Sequence, residues 1–174
     1  MATAHNEHVE FVGTGEIKRR QREQLAEFRR CEAARDWSRL HGSHFDWWMF
    51  PIDRPSQFGF AWTVFAAEVA ELAADEAWIA DYLDGVRIEA LAWGWDLAAA
   101  TSVPDPDPEQ RWQDWPIRLE KLTRSLELFG FTTELRSMCG YFGRLSSEGV
   151  SFRYGDRDLA DSLSMRCRRA SGSR

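Results

Sequence analysis

Apolar residues recur at three- and four-residue intervals through most of this chain, and the recurrence breaks at proline or glycine. Such a period gives each segment one buried stripe and points to a series of helices. The first stripe, Leu25, Phe28, Cys31, Trp37 and Leu40, belongs to a long charged helix expected from Glu16. Pro51 and Pro55 break the chain, and "IDRPS" reads as a turn. Ser56 is placed to N-cap a helix carrying Phe58, Ala61, Phe65, Val69 and Leu72. Asp75 is placed to cap the next, which carries Trp78, Ile79, Tyr82, Val86, Ala90 and Trp93 and is expected to reach Ala100.

Pro104, Pro106 and Pro108 then make an extended loop. Asp114 is placed to cap a helix with Pro116 in its first turn and Gly130 just past its end. Its stripe of Leu119, Leu122, Leu126 and Phe129 is the cleanest in the chain. A last helix runs from Thr132 through Leu135, Cys139, Phe142 and Leu145 to Gly149. "VSFRYGDRD" alternates like a short strand or ordered loop, and "RCRRASGSR" reads as a disordered tail. The expectation is an all-α fold, a single-domain orthogonal bundle of five or six helices with a proline-rich loop. That domain would span residues 16–155, between a flexible N-terminus at 1–15 and a C-terminal segment at 156–174.

A chain of 174 residues can bury one sizeable core. Nine Trp and eleven Phe serve equally to build that core or to wall a site. No apolar run is long enough to span a membrane, and the first residues lack the basic start and apolar run of a leader. Cys31, Cys139 and Cys167 are odd in number and have no C-x-x-C spacing, as expected of free thiols in a reduced, cytoplasmic protein.

The net charge of −6 is segregated. Residues 53–110 hold twelve acids and two bases, whereas residues 16–40 hold eight bases and five acids. One reading has the acidic middle neutralised within the fold by its basic flanks. The other makes it a surface or pocket for a cationic partner. The overall field repels phosphate and disfavours non-specific nucleic-acid binding.

Chemistry concentrates in "HGSHFDWWMFPID". His41 and His44 are three apart and could share a helix face, with Asp46 and Asp53 near in sequence. Two imidazoles and two carboxylates suffice to hold a divalent metal and activate water. The competing reading puts His44 in the core beside Trp47, with Asp46 pairing locally. Trp47, Trp48, Met49 and Phe50 are consecutive and must splay, either within a buried corner or with one indole lining a pocket. Trp93 and Trp95, with Trp112 and Trp115, form a second aromatic concentration that packing or a pocket explains equally well. There is no G-x-S-x-G elbow and no glycine-rich phosphate loop.

"SHFDWWMFPID", followed by "FGFAWTVF", "AWGWDL" and "WPIRLEKLTRSLELFG", resembles an uncharacterised bacterial family of small helical proteins. The resemblance spans roughly residues 37–155 and implies a self-contained domain without implying a reaction.

The first functional reading is a binding protein with no cofactor. It engages a protein partner or small ligand through the aromatic corner and the acidic middle, with Trp47, Trp48, Asp53, Trp95 and Trp112 as binding residues. The alternative is a metal-assisted enzyme, with His41 and His44 as ligands and His44 and Asp46 in the reaction. Leftover apolar stripes are compatible with a homodimer in either case.

Overall fold

The computed structural model describes residues 4–172. It is mostly helical, with two minimal antiparallel hairpins. In chain order the elements are α1 (Thr14–Ala34), α2 (Trp37–Gly42), α3 (Asp46–Met49), α4 (Ala66–Ala73) and α5 (Glu76–Ala92). Then come β1 (Trp95–Asp96), β2 (Thr101–Ser102), α6 (Pro116–Leu128), α7 (Thr132–Ser147), β3 (Arg153–Tyr154), β4 (Arg157–Asp158) and α8 (Ala160–Ala170).

The long first helix is two helices. Arg35 turns left-handed at φ 54° and ends α1, and the Asp36 side chain accepts from Arg39 N to start α2. The helix expected from Ser56 begins ten residues later. Ser56 and Gly59 exchange backbone hydrogen bonds at 3.0 Å, so "SQFG" closes a turn and leaves Phe58 exposed. Asp75 does cap α5, accepting from Trp78 N at 3.1 Å. That helix stops at Ala92 because Gly94 takes φ 75°, and a side chain there would meet the Gln110 carbonyl. Trp95–Asp96 then pairs with Thr101–Ser102 instead of continuing the helix. Asp114 does not cap α6: it has a positive φ itself, and Trp115 occupies the cap position.

The two ends differ most from expectation. The first described residues lie on the body: the buried Asn6 side chain donates to the Phe60 and Thr63 carbonyls, and its backbone N–H donates to Glu68 Oε1. His8 stacks on Phe60 at 3.7 Å. Residues 160–170, which include the first part of the basic tail, form helix α8, which buries Leu163, Arg166 and Ala170 on one face. The outermost residues of the expected termini, 1–3 and 173–174, lie outside the described residues. Cys139 and Cys167 form a disulfide between α7 and α8, which corrects the expectation of three free thiols; Cys31 alone is free and buried.

One contiguous apolar cluster draws on every helix, with α1 against α5 on one side and α6, α7 and α8 packed together on the other. No described helix is long and apolar enough to cross a membrane. Part of the acidic middle is paired within the fold: Lys18 meets Asp75 at 2.9 Å, Arg29 meets Asp84 at 2.8 Å, and Arg35 meets Asp107 at 2.6 Å. These pairs fit the reading in which basic flanks offset part of the acidic middle within the fold.

The disulfide closes a loop of sequence separation 28. Chain-entropy arguments give such a loop about 3–4 kcal/mol. Reduction, or Cys139→Ser with Cys167→Ser, is expected to lower the urea midpoint by a corresponding amount; an unchanged midpoint under reductant refutes it.

Candidate functional site

The aromatic corner opens onto a cleft of about 390 Å³, within the roughly 300–1,000 Å³ typical of small-molecule sites. One wall is α6, whose Ile117, Arg118, Lys121 and Arg124 fall at helical spacing, with Trp115 at its N-terminus. The facing wall is Trp47 with the turn that Pro51 and Pro55 impose, carrying Ile52, Arg54 and Ser56. His44 and the hairpin residues Tyr154 and Arg157 complete the rim.

Arg118 organises the floor. Its side chain is 2% exposed, and its Nε lies 3.0 Å from Asp46 Oδ1. Nη2 donates to the Ser43 carbonyl at 2.9 Å, and Nη1 lies 3.6 Å from Glu89 Oε1. The guanidinium also faces the rings of Phe45 at 4.3 Å and Trp115 at 5.5 Å. Lys121 Nζ sits 3.6 Å from Asp46 Oδ2 and 4.6 Å above the Trp47 ring. Arg124 is clamped by both oxygens of Asp53, at 2.6 and 3.0 Å.

Behind the cleft, Glu120 is held by Arg166 through two bonds of 2.8 and 3.0 Å and by Ser162. Five cations line the cleft (Arg54, Arg118, Lys121, Arg124, Arg157) against the two carboxylates Asp46 and Glu120. Arg54 and Arg157 are exposed and have no acidic partner among the described residues. The indole N–H of Trp47 likewise has no acceptor there.

Two buried groups are perturbed. Burial pushes the Glu89 carboxyl up to about 7; the neighbouring Arg118 opposes that and the Asp46 charge adds to it. Burial pulls Lys121 below the ordinary lysine value, against the opposing pull of Asp46.

The structure brings together three of the expected residues, His44, Asp46 and Trp47, with Asp53 at the edge through Arg124. His44 is exposed and meets Trp115 edge-on at 6.3 Å, so it is not a core histidine. His41 is elsewhere: its buried ring holds the Glu109 carbonyl at 3.0 Å, and burial lowers its pKa. The two histidines do not act as a pair because α2 ends at Gly42 and Ser43 is extended, which removes the helical spacing. No group of three or more His, Cys, Asp or Glu side chains is placed to hold a metal among the described residues.

Trp48 packs on Trp62 and under Arg20, away from the cleft. Trp95 is core, donating to Ser137 Oγ at 3.0 Å, and Trp112 packs on Trp93 and Tyr141. The sequence reading missed Arg118, Lys121, Arg124 and Glu89, and it grouped Trp115 with Trp112 rather than with Trp47. A signal for the first three exists: bases at every third residue following "DWP".

The chain matches no family model, and no curated protein or solved structure matches it.

The Glu89 shift has a defined pH signature. Between the unfolded value of 4.5 and the folded value of about 7, the folded state holds more protons. Stability from this group is therefore full below about 4.5 and is lost as pH rises through about 7. Glu89→Gln removes that slope. The difference in unfolding free energy between variant and parent should change by on the order of 3 kcal/mol from about pH 5 to 8, moving in favour of the variant. Parallel urea curves across that range would contradict it.

Proposed function

We propose that this protein binds a small anionic ligand with a flat ring in the cleft beside Trp47. The observation that carries the reading is the excess of cations in a concave, aromatic-walled space. Trp47, Trp115 and Tyr154 offer faces and edges to a ring. Arg54 and Arg157 have charge to spare for the anion, while Arg118, Lys121 and Arg124 are fixed in place by their carboxylates. Guanidinium groups suit carboxylate and phosphate because their paired donors match paired oxygens.

The same reading takes the helices as one orthogonal bundle and one domain, supported by the single contiguous apolar cluster. It places no ligand on the acidic middle, where Asp75, Asp84 and Asp107 already pair with Lys18, Arg29 and Arg35. The expected cytoplasmic location is weakened by the Cys139–Cys167 bond, since such bonds persist mainly in oxidising compartments.

Phenyl phosphate is the test ligand and benzylamine its cationic counterpart. Phenyl phosphate should raise the thermal midpoint in a salt-sensitive, saturable way; at a hundred times its Kd the added stability is about 2.7 kcal/mol. Arg54→Ala with Arg157→Ala changes two exposed side chains and should leave the fold intact. It should weaken binding by about tenfold or more by calorimetry, a loss of at least about 1.4 kcal/mol. Stabilisation by benzylamine and not by phenyl phosphate would overturn the reading.

A further inference from the structure

The chain has twenty Arg and only two Lys. Lys18 is ordinary: it sits on the surface against Asp75 at 2.9 Å. Lys121 is in the wall of the cleft, its side chain 11% exposed, between the Asp46 carboxylate and the Trp47 ring. Elsewhere the same two jobs, pairing a carboxylate and facing an aromatic ring, fall to Arg: Arg118 does both for Asp46 and Phe45, and Arg20 faces Trp48. Guanidinium is also the better group for both jobs. What an amine can do and a guanidinium cannot is lose its proton at moderate pH and add to a carbonyl carbon.

We propose that Lys121 is a reactive amine that forms an imine with an anionic aldehyde or ketone bound in the cleft. This rests on the anion-binding reading above. The neighbouring cations hold the ligand's carboxylate or phosphate, and the aromatic wall holds the rest beside Nζ. The amine lone pair forms the C–N bond while the carbonyl π electrons pass to oxygen. Asp46, 3.6 Å from Nζ, carries the two nitrogen protons to oxygen in turn, the first turning the alkoxide into a hydroxyl and the second turning that hydroxyl into the departing water. Water leaves, and the nitrogen lone pair completes the C=N bond. Amine and carbonyl thus give imine and water, with no oxidant or reductant required. Burial of Lys121 favours the neutral amine that the first step needs, and the Arg118 charge acts in the same direction.

The test uses pyridoxal 5′-phosphate, a flat aldehyde with a phosphate, followed by borohydride reduction and peptide mapping by mass. The pyridoxyl adduct should appear on Lys121 at about ten times the level on Lys18, because cleft binding raises the local concentration. Excess phenyl phosphate should suppress it. Lys121→Arg should abolish it while the variant still binds phenyl phosphate, and Lys18→Arg should leave it unchanged. Equal labelling of the two lysines, or labelling of Lys121 that phenyl phosphate does not suppress, overturns the proposal. If the probe displaces phenyl phosphate yet leaves no adduct on Lys121, the imine falls and the anion site stands. If neither compound binds, both fall.

Discussion

The burial of Arg118 is the constraint on which the site depends. Taking a guanidinium out of water costs several kcal/mol, and only close, multiple partners offset that. Here the partners come from two parts of the chain: the Ser43 carbonyl and Asp46 in the stretch leading into α3, and Glu89 of α5. One side chain of α6 therefore fixes the position of the short α2–α3 stretch, which has too few residues to hold its own shape. Buried ion pairs often add nothing to stability compared with well-packed apolar residues. An arrangement of this kind is better understood by what it positions: Lys121 stands between the Trp47 ring and the Asp46 carboxylate that Arg118 anchors.

The elements legible in the sequence were those whose signals are local. Asp75 caps α5, Pro116 opens α6 and Gly130 follows its end, as each residue's own conformational preferences require. Errors arose where distant contacts decide. Ser56 looked like a cap but closes a turn with Gly59, and Phe65 rather than Ser56 immediately precedes α4. The tail has the composition of a disordered segment, yet Arg166 finds Glu120 and Glu127 on α6 and Cys167 finds Cys139 on α7. Those partners lie 28 or more residues away in sequence, where periodicity carries no information.

The site was half legible for the same reason. "HGSHFDWW" stands out in the sequence because histidine, aspartate and tryptophan do so wherever they occur, and three of its residues, His44, Asp46 and Trp47, line the cleft. The other wall lies on α6, read only as a leucine stripe. Charged residues on a helix are ordinarily its solvated face, but α6 is enclosed on nearly all sides, so Arg118, Glu120 and Lys121 are buried with its leucines. A period of 3.6 identifies which residues share a face; it does not say how many faces are covered.

Net charge is uninformative in a related way. A charge of −6 disfavours non-specific phosphate binding, and the acidic run at 53–110 reads either as offset by its basic flanks or as a face for a cationic partner. In the fold, Lys18 and Arg29 of α1 and Arg35 just past it pair with three acids of that run, and the remaining negative charge lies away from the cleft lining. What a ligand in the cleft meets is the near field, set by charges a few ångströms away in a partly dry space where screening is weak. There the bases exceed the acids, and each acid is already committed: Asp46 to Arg118 and Lys121, Glu120 to Arg166. An acidic protein thus keeps a cationic cleft by placing its surplus carboxylates elsewhere and by using those inside to hold bases in position.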